Sequence, residues 1–171
     1  MGHTLVTRFD PESRAFLHDL MAPFAANKIP FGRNCDREAA NREMDYHLTL
    51  LHWAKTRDAY FLDCIRDFQP APCRIRVTGM QVMCAEEGSW LLYFAVAPGP
   101  GFRELTASLA DKTQAQCSGF LHITLAVSQD YAAIEAIRRQ LQRSVEFPFW
   151  LDVEGLDLYH IWRPTKKARS L

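Results

Sequence analysis

Two stretches of the chain match each other in kind: Tyr46-His47-Leu48-Thr49-Leu50-Leu51 and Leu121-His122-Ile123-Thr124-Leu125-Ala126. Both have the composition of a β-strand, and a helical pattern follows each. Successive side chains of a strand point to opposite faces, so each copy places a His and a Thr on one face and apolar residues on the other. The repeat predicts two related lobes, which we expect to divide near residues 98–101, at Pro-Gly-Pro-Gly.

The sequence on either side of these two strands predicts further strands and helices. The patterns predict strands at 5–9, 47–53, 74–83, 90–97 and 121–127, with one or two more in 147–162, and helices at 11–24, 57–68, 102–113 and 131–143, with a loop and a short helix in 28–45. Asp10 and Thr56 are the expected caps of the first two helices. Nothing divides the 171 residues into separate cores, so we predict a single domain over 1–171.

Composition excludes several classes of function. The 20 basic and 20 acidic residues balance, which argues against a general electrostatic binder of nucleic acids. The five cysteines show no CxxC or Cys/His ligand spacing, so neither a metal nor another cofactor is expected. The chain has no secretory signal and no apolar run of the ~20 residues that a membrane helix needs. We therefore expect a cytoplasmic protein without a membrane partner, and its oligomeric state stays open.

The paired motif suits cleavage of a phosphodiester. A neutral imidazole can take a proton from the attacking hydroxyl while a protonated one gives a proton to the leaving oxygen. Both forms are available near neutral pH because the ordinary pKa of histidine is about 6.5. Threonine hydroxyls can donate hydrogen bonds to non-bridging phosphoryl oxygens, where negative charge must be held. The sequence does not say which histidine is the acid.

On the residues His47-Leu48-Thr49-Leu50 and His122-Ile123-Thr124-Leu125, the chain resembles the two-histidine (2H) phosphoesterase superfamily, which includes RNA 2′,5′-ligase-like proteins and cyclic nucleotide phosphodiesterases. The resemblance implies a bilobal α+β fold with pseudo-two-fold symmetry, in which antiparallel sheets line a central groove and the helices lie outside. It also implies metal-independent hydrolysis of 2′,3′-cyclic or 2′,5′-linked phosphodiesters of nucleotides or RNA ends.

Carried over to this chain, the resemblance makes His47 and His122 the acid/base pair and Thr49 and Thr124 the phosphate ligands. The ligase-like branch often has an arginine shortly after the second motif, whereas here Ala126-Val127-Ser128 follow it. The fold and the chemistry are therefore predicted more closely than the substrate.

Residues outside the motifs complete the predicted site. Arg8 and Phe9, in the first strand, and Tyr159 and Trp162, in the last, are the candidates for substrate binding. His52, an odd number of positions after His47, is expected on the opposite face of the strand. Two other interpretations stay open: a nucleotide or RNA-end binding module without turnover, and a purely structural domain, in which the two motif histidines would lie far apart.

Overall fold

The computed structural model describes residues 2–24, 45–84 and 88–161. They form the strands β1 (Gly2–Phe9), β2 (Thr49–Ala54), β3 (Cys73–Cys84), β4 (Trp90–Pro98), β5 (His122–Ser128) and β6 (Phe149–Ile161), and the α-helices α1 (Pro11–Met21), α2 (Asp58–Ile65), α3 (Phe102–Thr113) and α4 (Tyr131–Ser144). The last predicted segment is thus one strand. The short helix expected in 28–45, apart from its last residue, lies outside the described residues.

Local chemistry explains where two of the helices begin. The Asp10 carboxylate accepts a hydrogen bond from the Ser13 backbone N–H at 2.9 Å, and Pro11 follows at the first helical position, where no N–H is needed. Asp130 caps α4 in the same way. The prediction of Thr56 as the cap of α2 is wrong: Thr56 lies in a 3₁₀ turn, and α2 begins after Arg57 with no side-chain cap.

All six strands join in one antiparallel sheet of order β2-β1-β6-β3-β4-β5. The chain runs twice through the same sequence of elements, β1-α1-β2-α2-β3 and then β4-α3-β5-α4-β6. The sheet order is symmetric about the contact between β6 and β3, so the first half of the sheet is β2-β1-β6 and the second half is β3-β4-β5. Each half takes its innermost strand from the other repeat.

The topology shows where one repeat ends and the next begins. The repeat changes between β3 and β4, which form a hairpin closed by the pair Cys84 and Trp90. The Pro-Gly-Pro-Gly stretch at 98–101 instead leads from β4 into α3, where Gly101 adopts a positive φ of 75°. The change of repeat thus lies one strand before the predicted division at 98–101, and the antiparallel strands of both halves form one continuous sheet.

The symmetry extends to the irregular positions of the sheet. The fourth residue of each motif, Leu50 in β2 and Leu125 in β5, is the extra residue of a β-bulge. A second pair of bulges lies at Glu154 in β6 and Thr78 in β3. Bulges alter strand direction and re-aim side chains, so their matched placement gives the two halves the same local shape around the motifs.

One hydrophobic cluster holds the helices against the sheet. Leu17 of α1, Phe61 of α2, Leu109 of α3 and Ile134 of α4 belong to it, together with sheet residues such as Phe9, which is completely buried. Full burial of a side chain of this size contributes roughly 1.5–3 kcal/mol. The helices thus cover one face of the sheet, the core face, and the opposite face, here called the site face, carries the polar residues of both motifs.

The two edge strands of the sheet approach each other at the motifs. Leu48 and Ile123 form an isolated antiparallel bridge, and both are completely buried. The backbone N–H of Ser118, in the loop before β5, donates to the Leu50 carbonyl at 2.8 Å. Residues at opposite ends of the strand order are thereby brought into contact.

Candidate active site

The bridge joins equivalent residues of the two motifs, because Leu48 and Ile123 are the second residue of each. In an antiparallel bridge the residue after one partner faces the residue before the other. The Thr of each motif is therefore directed toward the His of the other motif. His47 and His122 are close enough for their charges to interact. The interpretation as a structural domain with accidental motifs requires these histidines to lie far apart, and the bridge between the motifs counts against that separation.

Each imidazole is oriented by the backbone two residues before it. The Nδ1 of His47 lies 2.7 Å from the Asp45 carbonyl oxygen, and that of His122 lies 3.2 Å from the Phe120 carbonyl oxygen. A carbonyl can only accept, so Nδ1 must carry the hydrogen in both rings. In the neutral ring the lone pair is then on Nε2, the nitrogen that can exchange a proton with a substrate.

The environment of His47 favours its neutral form. Burial of the ring and the nearby His122 lower the pKa of His47 below its ordinary value. The Asp45 carbonyl, the Asp45 carboxylate and the Asp157 carboxylate act in the opposite direction and raise it in part. The pKa remains lowered overall, so a protonated His47 is disfavoured relative to an exposed histidine.

Thr49 and Thr124 occupy matched positions on the site face. Thr49 pairs with Val6, which pairs with Asp157, and Thr124 pairs with Tyr93, which pairs with Gln81. Both threonines are half-buried, and neither hydroxyl has a hydrogen-bond partner among the residues that the structure describes. Their placement beside the two imidazoles leaves these donors available to a bound phosphate.

Arg8 lies on the site face, but it is already paired with carboxylates. Its Nε lies 3.2 Å from Glu154 Oε1, and its Nη1 lies 3.0 Å from Asp157 Oδ1. The side chain also covers Gly155, where an added Cβ would come within 2.5 Å of the Arg8 Nη2. Two carboxylates offset the guanidinium charge, which makes Arg8 a poor phosphate ligand in this arrangement.

The other substrate-binding candidates have different outcomes. The prediction that Phe9 contacts substrate is wrong, because Phe9 is completely buried in the core, on the opposite face from Arg8. The backbone of Tyr159 pairs with Thr4 in the β1–β6 ladder. Trp162 lies outside the described residues, and the role predicted for Tyr159 and Trp162 stays a prediction.

The expectation for His52 is also wrong. The bulge at Leu50 shifts the alternation of β2, so His52 pairs with Thr4 and lies on the same face as Thr49. Its Nδ1 lies 3.0 Å from the Thr4 hydroxyl, and the residue is exposed. One inserted residue thus reverses a face assignment made from an odd sequence separation.

Sequence reasoning missed three residues of the site face, Tyr93, Gln81 and Asp157. A second internal repeat could have found two of them: Val77-Thr78-Gly79-Met80-Gln81 recurs as Val153-Glu154-Gly155-Leu156-Asp157, 76 positions later. This spacing is within one residue of the 75 that separates the two histidines. Both copies contain the bulge described above, and both end on a polar residue of the site face.

Two aromatic side chains contact the His122 imidazole. The Phe120 ring stacks on the imidazole with centroids 4.5 Å apart, and the Tyr93 ring meets it edge-on at 5.6 Å. Phe120 is 49% exposed, whereas Tyr93 is 5% exposed. These rings restrict the orientation of His122, in addition to its hydrogen bond to the Phe120 carbonyl.

The arrangement is the one that the resemblance to two-histidine phosphoesterases implies: an α+β fold in which two His-x-Thr strands meet on a pseudo-two-fold axis. The expected fold class is confirmed. No family model matches the chain, and no curated protein matches its sequence.

Two solved structures of Kluyveromyces marxianus Usb1 are similar to the chain. The first is 14% identical with a TM-score of 0.46, and the match covers 94% of this chain and 98% of that chain. The second, with uridine monophosphate, is 13% identical with a TM-score of 0.45 over the same shares.

Neither a group of metal-ligating side chains nor a membrane-spanning helix occurs in the part of the chain that the structure describes. Within residues 2–24, 45–84 and 88–161, no three His, Cys, Asp or Glu side chains are grouped as metal ligands would be. None of the helices in this part of the chain is both long and apolar enough to cross a membrane.

Proposed function

We propose that the protein is a metal-independent phosphodiesterase that hydrolyses 2′,3′-cyclic or 2′,5′-linked phosphodiesters of nucleotides or RNA ends. His47 and His122 are its acid/base pair, and Thr49 and Thr124 hold the phosphate. The observation that carries the proposal is the bridge between Leu48 and Ile123, which brings both motifs together with their histidines and threonines on one face. Two imidazoles that each hold the hydrogen on Nδ1 fit opposite roles at one phosphate.

For a 2′,3′-cyclic substrate the protons balance within the pair. His47 Nε2 takes a proton from water as the water oxygen bonds to phosphorus, and His122 Nε2 gives its proton to the ribose oxygen as the bond from phosphorus to that oxygen breaks. His47 is assigned as the base because burial favours its neutral form. The two threonine hydroxyls donate to the non-bridging oxygens, where charge increases in the transition state.

The test is an assay of 2′,3′-cyclic nucleotides and 2′,5′-linked dinucleotides with the EDTA-treated protein. We expect turnover of at least one substrate that survives EDTA. Loss of all turnover in EDTA, restored by a divalent cation, would contradict the metal-independent mechanism. Nucleotide binding with no cleavage of any substrate would instead support the binding module without turnover.

The pH dependence gives a prediction for the role of His47. In Asp157→Asn the carboxylate that stabilises protonated His47 is absent, so the pKa of His47 falls further. A general base acts in its neutral form, so the acidic limb of the kcat/KM profile should move to lower pH. The profile, measured between about pH 4 and pH 9, is expected to be bell-shaped, with apparent pKa values that belong to the coupled pair.

Glu154→Gln is the matched control, because Glu154 also pairs with Arg8 but is not among the charges that act on His47. We expect its acidic limb to stay in place. Movement of the alkaline limb in Asp157→Asn would reverse the assignment and make His47 the acid.

A further inference from the structure

The two halves of the site face have the same shape but differ in what covers their middle. In the first half, Arg8 pairs with Gly155 and its guanidinium lies over that glycine. In the second half the equivalent pair is Ala95 and Gly79, since each pair adjoins a matched bulge. A Cβ added at Gly79 meets nothing within 4 Å. One half is therefore covered by a side chain, whereas none of the described residues covers the equivalent place in the other half.

The open place adjoins the reacting groups. Ala95 pairs with Gly79 on one side and with His122 on the other, so the three residues form one row across β3, β4 and β5. The next row along the strands consists of Gln81, Tyr93 and Thr124. A group placed over Gly79 and Ala95 would thus lie beside the imidazole and the hydroxyl of the second motif.

Gln81 offers hydrogen-bond donors at this place. The Tyr93 hydroxyl donates to Gln81 Oε1 at 2.8 Å, which fixes the amide with its oxygen toward the tyrosine. The amide nitrogen has two N–H donors and makes no hydrogen bond within the part of the chain that the structure describes. The equivalent residue of the first half is Asp157, whose carboxylate accepts from Arg8. Gln81 is therefore an uncharged donor at the position where the first half carries the Asp157 carboxylate, and Arg76, between the buried Ile75 and Val77, is the charged residue of β3 in the row next to Gly79.

We propose that the nucleoside of the substrate lies on the second half, over Gly79 and Ala95, with the Gln81 amide donating to an acceptor on the nucleobase. The inference rests on the proposed function and adds the direction in which the substrate lies across the two motifs. A base with ring-nitrogen or carbonyl acceptors suits a place that no side chain covers and that has amide donors beside it. Arg8 and its carboxylates occupy the equivalent place next to the first motif and exclude the opposite direction.

The test measures the affinity for uridine 3′-monophosphate, adenosine 3′-monophosphate and inorganic phosphate by titration calorimetry. Gln81→Leu removes the donors, and Kd for at least one nucleotide should rise about 3- to 10-fold, the value of a neutral hydrogen bond. Gly79→Leu fills the open place, and Kd for both nucleotides should rise about 10-fold or more. Neither change should alter the affinity for inorganic phosphate, which lacks the nucleoside.

Two further variants make the comparison specific. Gln142→Leu makes the same chemical change at an exposed position of α4 and should leave every affinity unchanged. Arg8→Ala uncovers Gly155 and should not weaken nucleotide binding. A loss of nucleotide affinity in Arg8→Ala, with Gln81→Leu unaffected, would place the nucleoside on the first half and overturn the inference.

The outcomes separate this inference from the proposed function. Nucleotide binding and turnover by the wild type, unchanged in both Gln81→Leu and Gly79→Leu, would contradict only the placement of the nucleoside. Absence of any nucleotide binding or turnover in the wild type would contradict the proposed function itself, and the placement with it. If Gly79→Leu does not fold, Gln81→Leu alone decides, because its side chain is exposed.

Discussion

Replacing either His47 or His122 by Asn should lower kcat by a factor of about 10² to 10⁴, the usual contribution of a general acid or base. Asparagine suits this test because its amide nitrogen lies near the position of Nδ1 and can still donate to the carbonyl two residues before it. The substitution removes Nε2, the nitrogen that exchanges the proton. The loss of activity should therefore come without a loss of the local backbone arrangement.

The double variant provides a second measurement. Groups that act together in one step lose most of their effect when either is removed, so the factors of the two single variants should not multiply. We expect the double variant to be within about tenfold of the slower single variant. The rates are measured on the best substrate of the cyclic and 2′,5′-linked panel.

His52→Asn is the matched control. His52 lies on the same strand and the same face as the first motif, but it is exposed and bonds to Thr4. Its replacement should leave kcat within about twofold of the wild type. Equal losses in His52→Asn and His47→Asn would indicate general damage to β2 and would remove the support for a catalytic role.

The alternation of side chains along a strand was enough to predict which residues of each motif share a face. His47 and Thr49 share a face because the bulge comes only after Thr49, and the same holds for their counterparts in β5. The same rule gave the wrong face for His52, which lies beyond the bulge. The bulge at Leu50 depends on how β2 pairs with β1, and a strand's own sequence does not show its register against a partner.

Long-range pairing also explains the other differences. The repeat boundary was placed at the strongest turn signal, Pro-Gly-Pro-Gly, but the exchange of β3 and β6 between the halves moves it to the preceding hairpin. Arg8 was predicted to bind substrate because the order of the elements places the first strand near the groove. Its two carboxylate partners come from β6, 146 and 149 positions away, and nothing near Arg8 in the sequence indicates them.

Replacing Thr49 or Thr124 by Val should lower kcat and kcat/KM together by about 10² to 10³, the cost of removing one donor to a developing oxyanion. Valine has nearly the same shape and is equally compatible with a strand, so the change removes the hydroxyl and little else. Each hydroxyl is without a protein partner among the described residues, so its loss leaves no buried group unpaired there. The free energy of unfolding, measured with urea, should stay within about 1 kcal/mol of the wild type.

Thr49→Ser and Thr124→Ser keep the hydroxyl and should restore most of the rate, which a role in packing alone would not predict. Thr106→Val is the control for the chemical change, because the Thr106 hydroxyl bonds only to backbone carbonyls of its own helix. In the valine variants kcat should fall by a larger factor than KM rises, since the non-bridging oxygens carry more charge in the transition state than in the substrate. An unchanged kcat with a raised KM would make the threonines ligands of the ground state, and charge stabilisation would then have to come from other donors.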